Sequence, residues 1–168
     1  MILTTIAQRR ALLDRSKTVA MIGASPNPTR PSYFVFSYLR TRGRFDVSPI
    51  NPTTGAIDGL KSYPSLKAYA AERGVPDIVD VFRRPDQLMP IVEEAISIGA
   101  PAIWFQYGVI NEDAIKRADE AGLQVVVDRC IKVESARFDG GLAVGGLNTH
   151  LITSRRRLAS GTRGGGLR

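Results

Sequence analysis

Short apolar runs alternate with longer amphipathic segments along most of the chain. The runs hold four to six residues, many of them β-branched, which is typical of strands buried on both faces of a parallel sheet. They comprise residues 19–22, 45–50, 78–82, 102–105 and 124–127. Strands that alternate with helices predict an α/β fold, a doubly wound, Rossmann-like sheet of five parallel strands with helices on both faces. We expect the strand order 3-2-1-4-5, counted along the chain.

Glycine, proline and polar capping residues predict where the helices begin and end. A short helix is expected within residues 4–15, before the first strand. The next helix is expected to begin near Ser32, whose hydroxyl can cap it, and to end at Gly43. Pro85 can occupy the first turn of a later helix, and Asn111 can cap another. A loop and a short helix are expected between the second and third strands.

The first strand leads through a glycine turn to a helix start, and this stretch is the main candidate for a binding site. Gly23, Ala24 and Ser25 form the turn, and Arg30 and Ser32 follow it. A helix N-terminus offers free N–H groups and a positive dipole end to an anion such as phosphate. Only the first glycine of the dinucleotide fingerprint Gly-x-Gly-x-x-Gly is present here. We predict a phosphate-binding turn of another lineage, although Ser25 could instead serve only to form the turn.

The tips of the other strands add further groups to this candidate site, because a ligand of a doubly wound sheet lies beyond the carboxyl ends of its strands. These groups come from Asn51, Pro52, Phe82, Arg83, Gln106, Gly108 and Cys130. Dinucleotide enzymes usually place an acidic residue for the ribose at the position of Asn51, and an amide does not repel a nearby phosphate. The amide at this position favours a ligand with additional phosphate. Arg83 favours the same ligand, unless it is an ordinary surface charge. Trp104 lies within an apolar strand and is expected in the core.

The composition of the 168 residues narrows the classes of function. The formal net charge is +7, but residues 151–168 contain five arginines and no acid, which leaves +2 for residues 1–150. We expect one domain at 1–138 and a Gly/Arg-rich extension at 139–168 that is disordered at its end. No apolar run is long enough to span a membrane and no leader pattern opens the sequence, so we expect a cytoplasmic protein. The single histidine, His150, argues against a Ser–His triad and a His-based metal site.

Seven short motifs in order carry a resemblance to a known family. They are Val-Ala-Met-Ile-Gly-Ala-Ser (19–25), Arg-Pro-Ser-Tyr (30–33), Pro-Ile-Asn-Pro (49–52), Tyr-Pro-Ser-Leu (63–66), Asp-Val-Phe-Arg (80–83), Ile-Trp-Phe-Gln (103–106) with Gly108, and Asp-Arg-Cys (128–130). Over about residues 10–138 the chain resembles the small stand-alone coenzyme A-binding proteins, which share their fold with the CoA-binding domain of the succinyl-CoA synthetase alpha subunit. The resemblance implies CoA as the ligand, with nucleotide-binding roles for Gly23, Ala24, Ser25, Arg30, Asn51, Phe82, Arg83 and Gln106. The phosphohistidine domain of the synthetase has no counterpart, so ligase activity is not implied.

Three functions stay open on the sequence. The first is a CoA- or acyl-CoA-binding protein without an identifiable catalytic apparatus, as a monomer or a homo-oligomer. The second is an NAD(P)-dependent oxidoreductase, which the absent glycines and Asn51 disfavour, and the third is a nucleic-acid binder that uses the basic end. Cys130 is expected to be a small buried apolar residue. An alternative hypothesis is that it forms a mixed disulfide with the thiol of CoA under oxidising conditions.

Overall fold

Six helices and seven strands are found in the part of the chain that the computed structural model describes, residues 1–139. The helices are α1 (Ile6–Arg15), α2 (Pro31–Arg42), α3 (Leu66–Arg73), α4 (Leu88–Ser97), α5 (Glu112–Glu120) and α6 (Ile131–Asp139). The strands are β1 (Thr18–Ile22), β2 (Asp46–Ile50), β3 (Ala56–Ile57), β4 (Leu60–Lys61), β5 (Ile78–Val81), β6 (Ala102–Phe105) and β7 (Gln124–Val126). A first unit comprises Met1–Glu134, and a second begins at Ser135 within α6. The predictions for His150 and for the Gly/Arg-rich extension beyond residue 139 fall outside the described residues.

Five parallel strands form the main sheet in the order β2-β1-β5-β6-β7, which confirms the α/β class. The predicted order 3-2-1-4-5 is wrong, because β5 pairs with β1 and not with the outer edge of β2. That outer edge is already occupied by the segment that follows β4. The backbone N–H of Tyr63 donates to the carbonyl of Pro49 at 3.0 Å, and the N–H of Asn51 donates to the carbonyl of Tyr63 at 2.8 Å. The strand order therefore reverses between β1 and β5.

The helix boundaries agree with most of the capping predictions. Helix α2 ends at Gly43, which has a φ of 65°, and α5 begins after Asn111, whose side chain accepts a hydrogen bond from the N–H of Ala114 at 3.0 Å. The cap predicted at Ser32 is wrong, because α2 already begins at Pro31 and its N-cap is Arg30. The fixed φ of proline suits the first helical position, which moves Ser32 into the first turn.

Three elements were not predicted or only partly predicted. The segment expected as a loop after β2 forms the small antiparallel hairpin of β3 and β4. Helix α6 was not predicted at all, and Pro85 belongs to a 3₁₀ turn, Pro85–Gln87, that leads into α4. No helix in residues 1–139 is both long enough and apolar enough to cross a membrane.

The interior of the sheet is almost completely sealed from solvent. In β5 and β6 all the residues are buried, and Trp104 has an exposed fraction of 0%, which confirms its predicted place in the core. The indole Nε1 of Trp104 also donates a hydrogen bond to the carbonyl of Arg129 at 2.6 Å. The core therefore fixes the segment that follows β7 at the edge where the strands end.

A buried ion pair connects the first helix to the start of the last one. Arg9 Nε lies 3.0 Å from Glu134 Oε2, and the two side chains have exposed fractions of only 6% and 4%. Arg9 also donates to the carbonyl of Thr4 at 2.8 Å. Removal of one partner of a buried pair leaves a charge in a poorly solvated place.

We expect Arg9→Ala to lower the free energy of unfolding by about 3–5 kcal/mol, because the Glu134 carboxylate would lose the Arg9 guanidinium. The control is Lys116→Ala on α5. The ion pair of Lys116 with Glu120 is exposed, and its loss should cost at most about 1 kcal/mol. Urea unfolding followed by circular dichroism measures both values, and equal losses would contradict the prediction.

Candidate nucleotide-binding site

A cavity of about 790 Å³ opens at the carboxyl ends of the strands. Ten of the twelve predicted site residues line it: Gly23, Ser25, Arg30, Ser32, Asn51, Phe82, Arg83, Gln106, Gly108 and Cys130. The two others lie elsewhere. Ala24 is completely buried, and Pro52 lines a second cavity of about 410 Å³. Most of the lining could therefore be predicted from the sequence, but Val35, Gln87 and Val109 were not predicted.

The turn after β1 passes so close to the end of β5 that only glycine fits at position 23. Gly23 has a φ of 80°, and a Cβ placed there would lie 2.1 Å from the carbonyl oxygen of Phe82. The N–H of Gly23 donates to the carbonyl of Ile50 at 3.0 Å. The side-chain Nδ2 of Asn51 donates to the carbonyl of Ala24 at 2.7 Å. The tips of β1, β2 and β5 are thus held together at one point, where the strand order reverses.

Several backbone donors of this turn have no acceptor within residues 1–139. The N–H groups of Ala24 and Ser25 donate to no acceptor among residues 1–139. Ser32 is the second residue of α2, and its N–H has no intrahelical partner by the geometry of a helix. Ser25 Oγ accepts a hydrogen bond from the N–H of Asn27 at 3.1 Å, so this side chain forms the turn as well as lining the cavity. Free N–H groups at a helix start are suited to an anion.

The side chains around the cavity are cationic or neutral. Arg30, Arg83 and Arg84 line it, and none of the lining residues within 1–139 is acidic. Arg84 pairs with Asp86 at 3.0 Å, whereas Arg30 and Arg83 make no ion pair with any residue of the described chain. The Nε atom of Arg83 lies 3.3 Å from the position that a Cβ of Gly23 would have. An unpaired guanidinium therefore lies directly beside the glycine turn, where a phosphate would meet both.

The opposite wall is built from the tips of β6 and β7. Asp128 has a φ of 55°, an uncommon conformation that aspartate tolerates better than most residues. Its Oδ1 accepts a hydrogen bond from the N–H of Gly108 at 2.9 Å. Cys130 has an exposed fraction of 9%, and its carbonyl accepts from the N–H of Glu134 at 3.0 Å in the first turn of α6. This wall presents a thiol and apolar surface rather than charge.

One acidic side chain lies beneath the cavity. Asp80 of β5 is completely buried, and its Oδ1 accepts a hydrogen bond from Gln106 Nε2 at 2.6 Å. Burial raises the pKa of Asp80 to about 7, although the hydrogen bond from Gln106 acts in the opposite direction. The sequence contains an indication of this group, because Asp80 is a charged residue inside the apolar run 78–82.

A doubly wound parallel sheet with an anion-attracting cavity at the reversal of its strand order defines a Rossmann-like nucleotide-binding architecture. Comparison with known proteins identifies the family. The family model described as "CoA binding domain" matches residues 17–136, so the chain belongs to this family. The resemblance seen in the sequence is thereby confirmed.

Three relatives illustrate the extent of the similarity. The uncharacterized protein YneT of Bacillus subtilis is 39% identical over 130 residues, which are 77% of this chain and 93% of that protein. The structure of a hypothetical protein from Pyrococcus horikoshii is 41% identical with a TM-score of 0.75, and the match covers 82% of this chain and 94% of the other. A structure from Thermus thermophilus, designated cell-free ID.343, is 37% identical with a TM-score of 0.72 over 80% of this chain and 98% of the other.

We expect Gly23→Ala to destabilise the fold by about 2–5 kcal/mol, because the new Cβ adds a backbone collision to the strain of a positive φ. Gly43→Ala is the matched control. Its φ of 65° imposes a similar strain, but nothing lies within 4 Å of the new Cβ, so a loss of about 1–2 kcal/mol is expected. Denaturant unfolding compares the two, and the prediction fails if Gly43→Ala costs as much as Gly23→Ala.

The raised pKa of Asp80 predicts how stability depends on pH. The folded chain holds the Asp80 proton up to about pH 7, whereas the unfolded chain releases it near pH 4. The contribution of this group to stability is therefore complete below about pH 4 and is lost as the pH rises through 7. Asp80→Asn removes the titration, so we expect its stability relative to the wild type to increase by about 2–3 kcal/mol between pH 5 and pH 8. Urea unfolding at both values tests this, and a constant difference between the two proteins would refute it.

Proposed function

We propose that this chain is a binding protein for coenzyme A or an acyl-CoA, held in the cavity at the strand tips. The observation that carries the proposal is the arrangement at the glycine turn, where free N–H groups and the unpaired Arg30 and Arg83 meet without any acidic neighbour on the cavity wall. Membership of the CoA-binding family supports the same ligand. CoA is rich in phosphate and ends in a long, largely apolar arm with a thiol. Its chemistry, when bound, is to carry acyl groups as thioesters.

The residues on the cavity wall fit the two halves of this ligand. The N–H groups of Ser25 and Ser32 and the two arginines would hold phosphate oxygens by charge-assisted hydrogen bonds. Apolar side chains of the same wall, those of Val35, Phe82 and Val109, would contact the arm. The mixed disulfide between Cys130 and CoA stays a prediction, as do the cytoplasmic location and homo-oligomerisation.

The residues at the tip of β2 support an NAD(P)-dependent oxidoreductase less well than they support a CoA-binding protein. Asn51 has no carboxylate for a ribose diol, and its amide is largely engaged. Its Nδ2 donates to the carbonyl of Ala24, and its Oδ1 accepts hydrogen bonds from the N–H and the hydroxyl of Thr53 at 2.9 and 2.8 Å. Asn51 therefore supports the turn rather than presenting two free groups to a sugar. The nucleic-acid alternative rests on the basic end, outside residues 1–139.

Thermal unfolding in the presence of ligands tests the proposal. At a ligand concentration of one hundred times the dissociation constant, CoA should stabilise the fold by about 2.7 kcal/mol, a rise of several degrees in the midpoint. NAD should produce a much smaller rise, because it lacks the additional phosphate. NADP, which carries one on a ribose, is the stricter control. Equal rises with all three ligands, or none with CoA, would refute CoA as the preferred ligand.

We expect Arg30→Ala and Arg83→Ala each to weaken CoA binding by about 1.5–3 kcal/mol, the range for a hydrogen bond to a charged group. Neither arginine makes an ion pair among the described residues, so the free energy of unfolding should change by no more than about 0.5 kcal/mol. Lys116→Ala, on the exposed surface of α5, is the control and should leave the affinity unchanged. Titration calorimetry and urea unfolding measure the two quantities. Unaltered affinity in both arginine variants would contradict the assignment.

A further inference from the structure

Asp80 is an acidic side chain inside the sheet, and it does not itself line the cavity. In the strand register it pairs with Met21 of β1 and with Trp104 of β6, and its exposed fraction is 0%. Its Oδ1 accepts a hydrogen bond from Gln106 Nε2, and its Oδ2 has no hydrogen-bond partner within residues 1–139. A half-satisfied buried carboxyl group opposes folding. The hydrogen bond with Gln106 connects Asp80 to the cavity, because Gln106 lines that cavity.

This contact determines which end of the Gln106 amide faces the cavity. An ionised carboxylate only accepts hydrogen bonds, so the NH₂ end of the glutamine must point to Asp80 and the carbonyl Oε1 must point away. Gln106 lines the cavity, and its Oε1 accepts no hydrogen bond from the described residues. Without the carboxylate, the amide could turn over and present its NH₂ group instead.

We propose that Asp80 is a positioning residue that holds the Gln106 carbonyl toward the cavity, so that this point of the cavity selects a ligand group with an N–H or O–H donor. A phosphate or carbonyl oxygen would be repelled by Oε1 at the same place. Gln106 shares its side of the cavity with Val109 and Cys130, at the tips of β6 and β7. The assignment rests on the proposed function, and the donor that fits this wall is an amide N–H of the pantetheine arm of CoA.

Calorimetric titration of the full chain with two ligands tests the assignment. Adenosine 3′,5′-bisphosphate carries an adenine and phosphates but lacks the pantetheine arm. The titrations are made at pH 8, where Asp80 is ionised because its pKa is about 7. Asp80→Leu, which removes the acceptor of the Gln106 hydrogen bond, and Gln106→Met should each weaken CoA binding by about 3- to 10-fold, the worth of one neutral hydrogen bond, and should leave the bisphosphate affinity within about twofold. The double variant should bind CoA no more weakly than Gln106→Met alone, because Asp80 acts only through Gln106.

Three results would overturn the assignment: unchanged CoA affinity in Asp80→Leu, an equal loss for both ligands, or losses that add in the double variant. Circular dichroism confirms that each variant is folded. If Asp80→Leu does not fold, Asp80→Val replaces it, because valine also removes the acceptor without burying a new donor. A wild type that binds no CoA overturns the proposed function together with this assignment. A wild type that binds CoA, with a variant that binds it equally well, overturns this assignment alone.

Discussion

Contact between the backbones of β1 and β5 at their carboxyl ends is the constraint on which the site depends. A Cβ at Gly23 would lie 2.1 Å from the Phe82 carbonyl oxygen, so the two tips can meet only because this position has no side chain. The same turn is held from the other side by Ile50 and Asn51 of the β2 tip. Free N–H groups of the turn and the start of α2 consequently converge at the reversal of the strand order, which is where ligands of doubly wound sheets bind.

The positive charge of the cavity depends on which of its arginines form ion pairs. Within the described part of the chain, no acidic side chain lines the cavity, and two of its arginines have no ion-pair partner. Asp80 is buried and is not among the described lining residues; its Oδ1 accepts a hydrogen bond from Gln106, and burial raises its pKa to about 7. On the proposed function, the arginines would attract the phosphates of the ligand, and the Gln106 carbonyl would accept a hydrogen bond from a neutral donor.

Much of this arrangement could be predicted from the sequence, because it follows from local rules. Buried strands are visible as apolar runs, and the tips of parallel strands must share one edge, which gathers Gly23, Arg83 and Gln106 without any knowledge of side-chain geometry. The strand order could not be predicted this way, because the apolar runs do not show that a backbone bridge at Tyr63 occupies the outer edge of β2. The role of Ser32 was misjudged because proline competes for the first helical position.

Native mass spectrometry of the full chain mixed with equimolar CoA, NAD and NADP tests the central claim most directly, because the three ligands compete for one cavity in a single sample. The account predicts one dominant complex, whose mass exceeds that of the protein by the mass of one CoA. A dominant complex with NAD or NADP, or a protein that takes up none of the three, would contradict it.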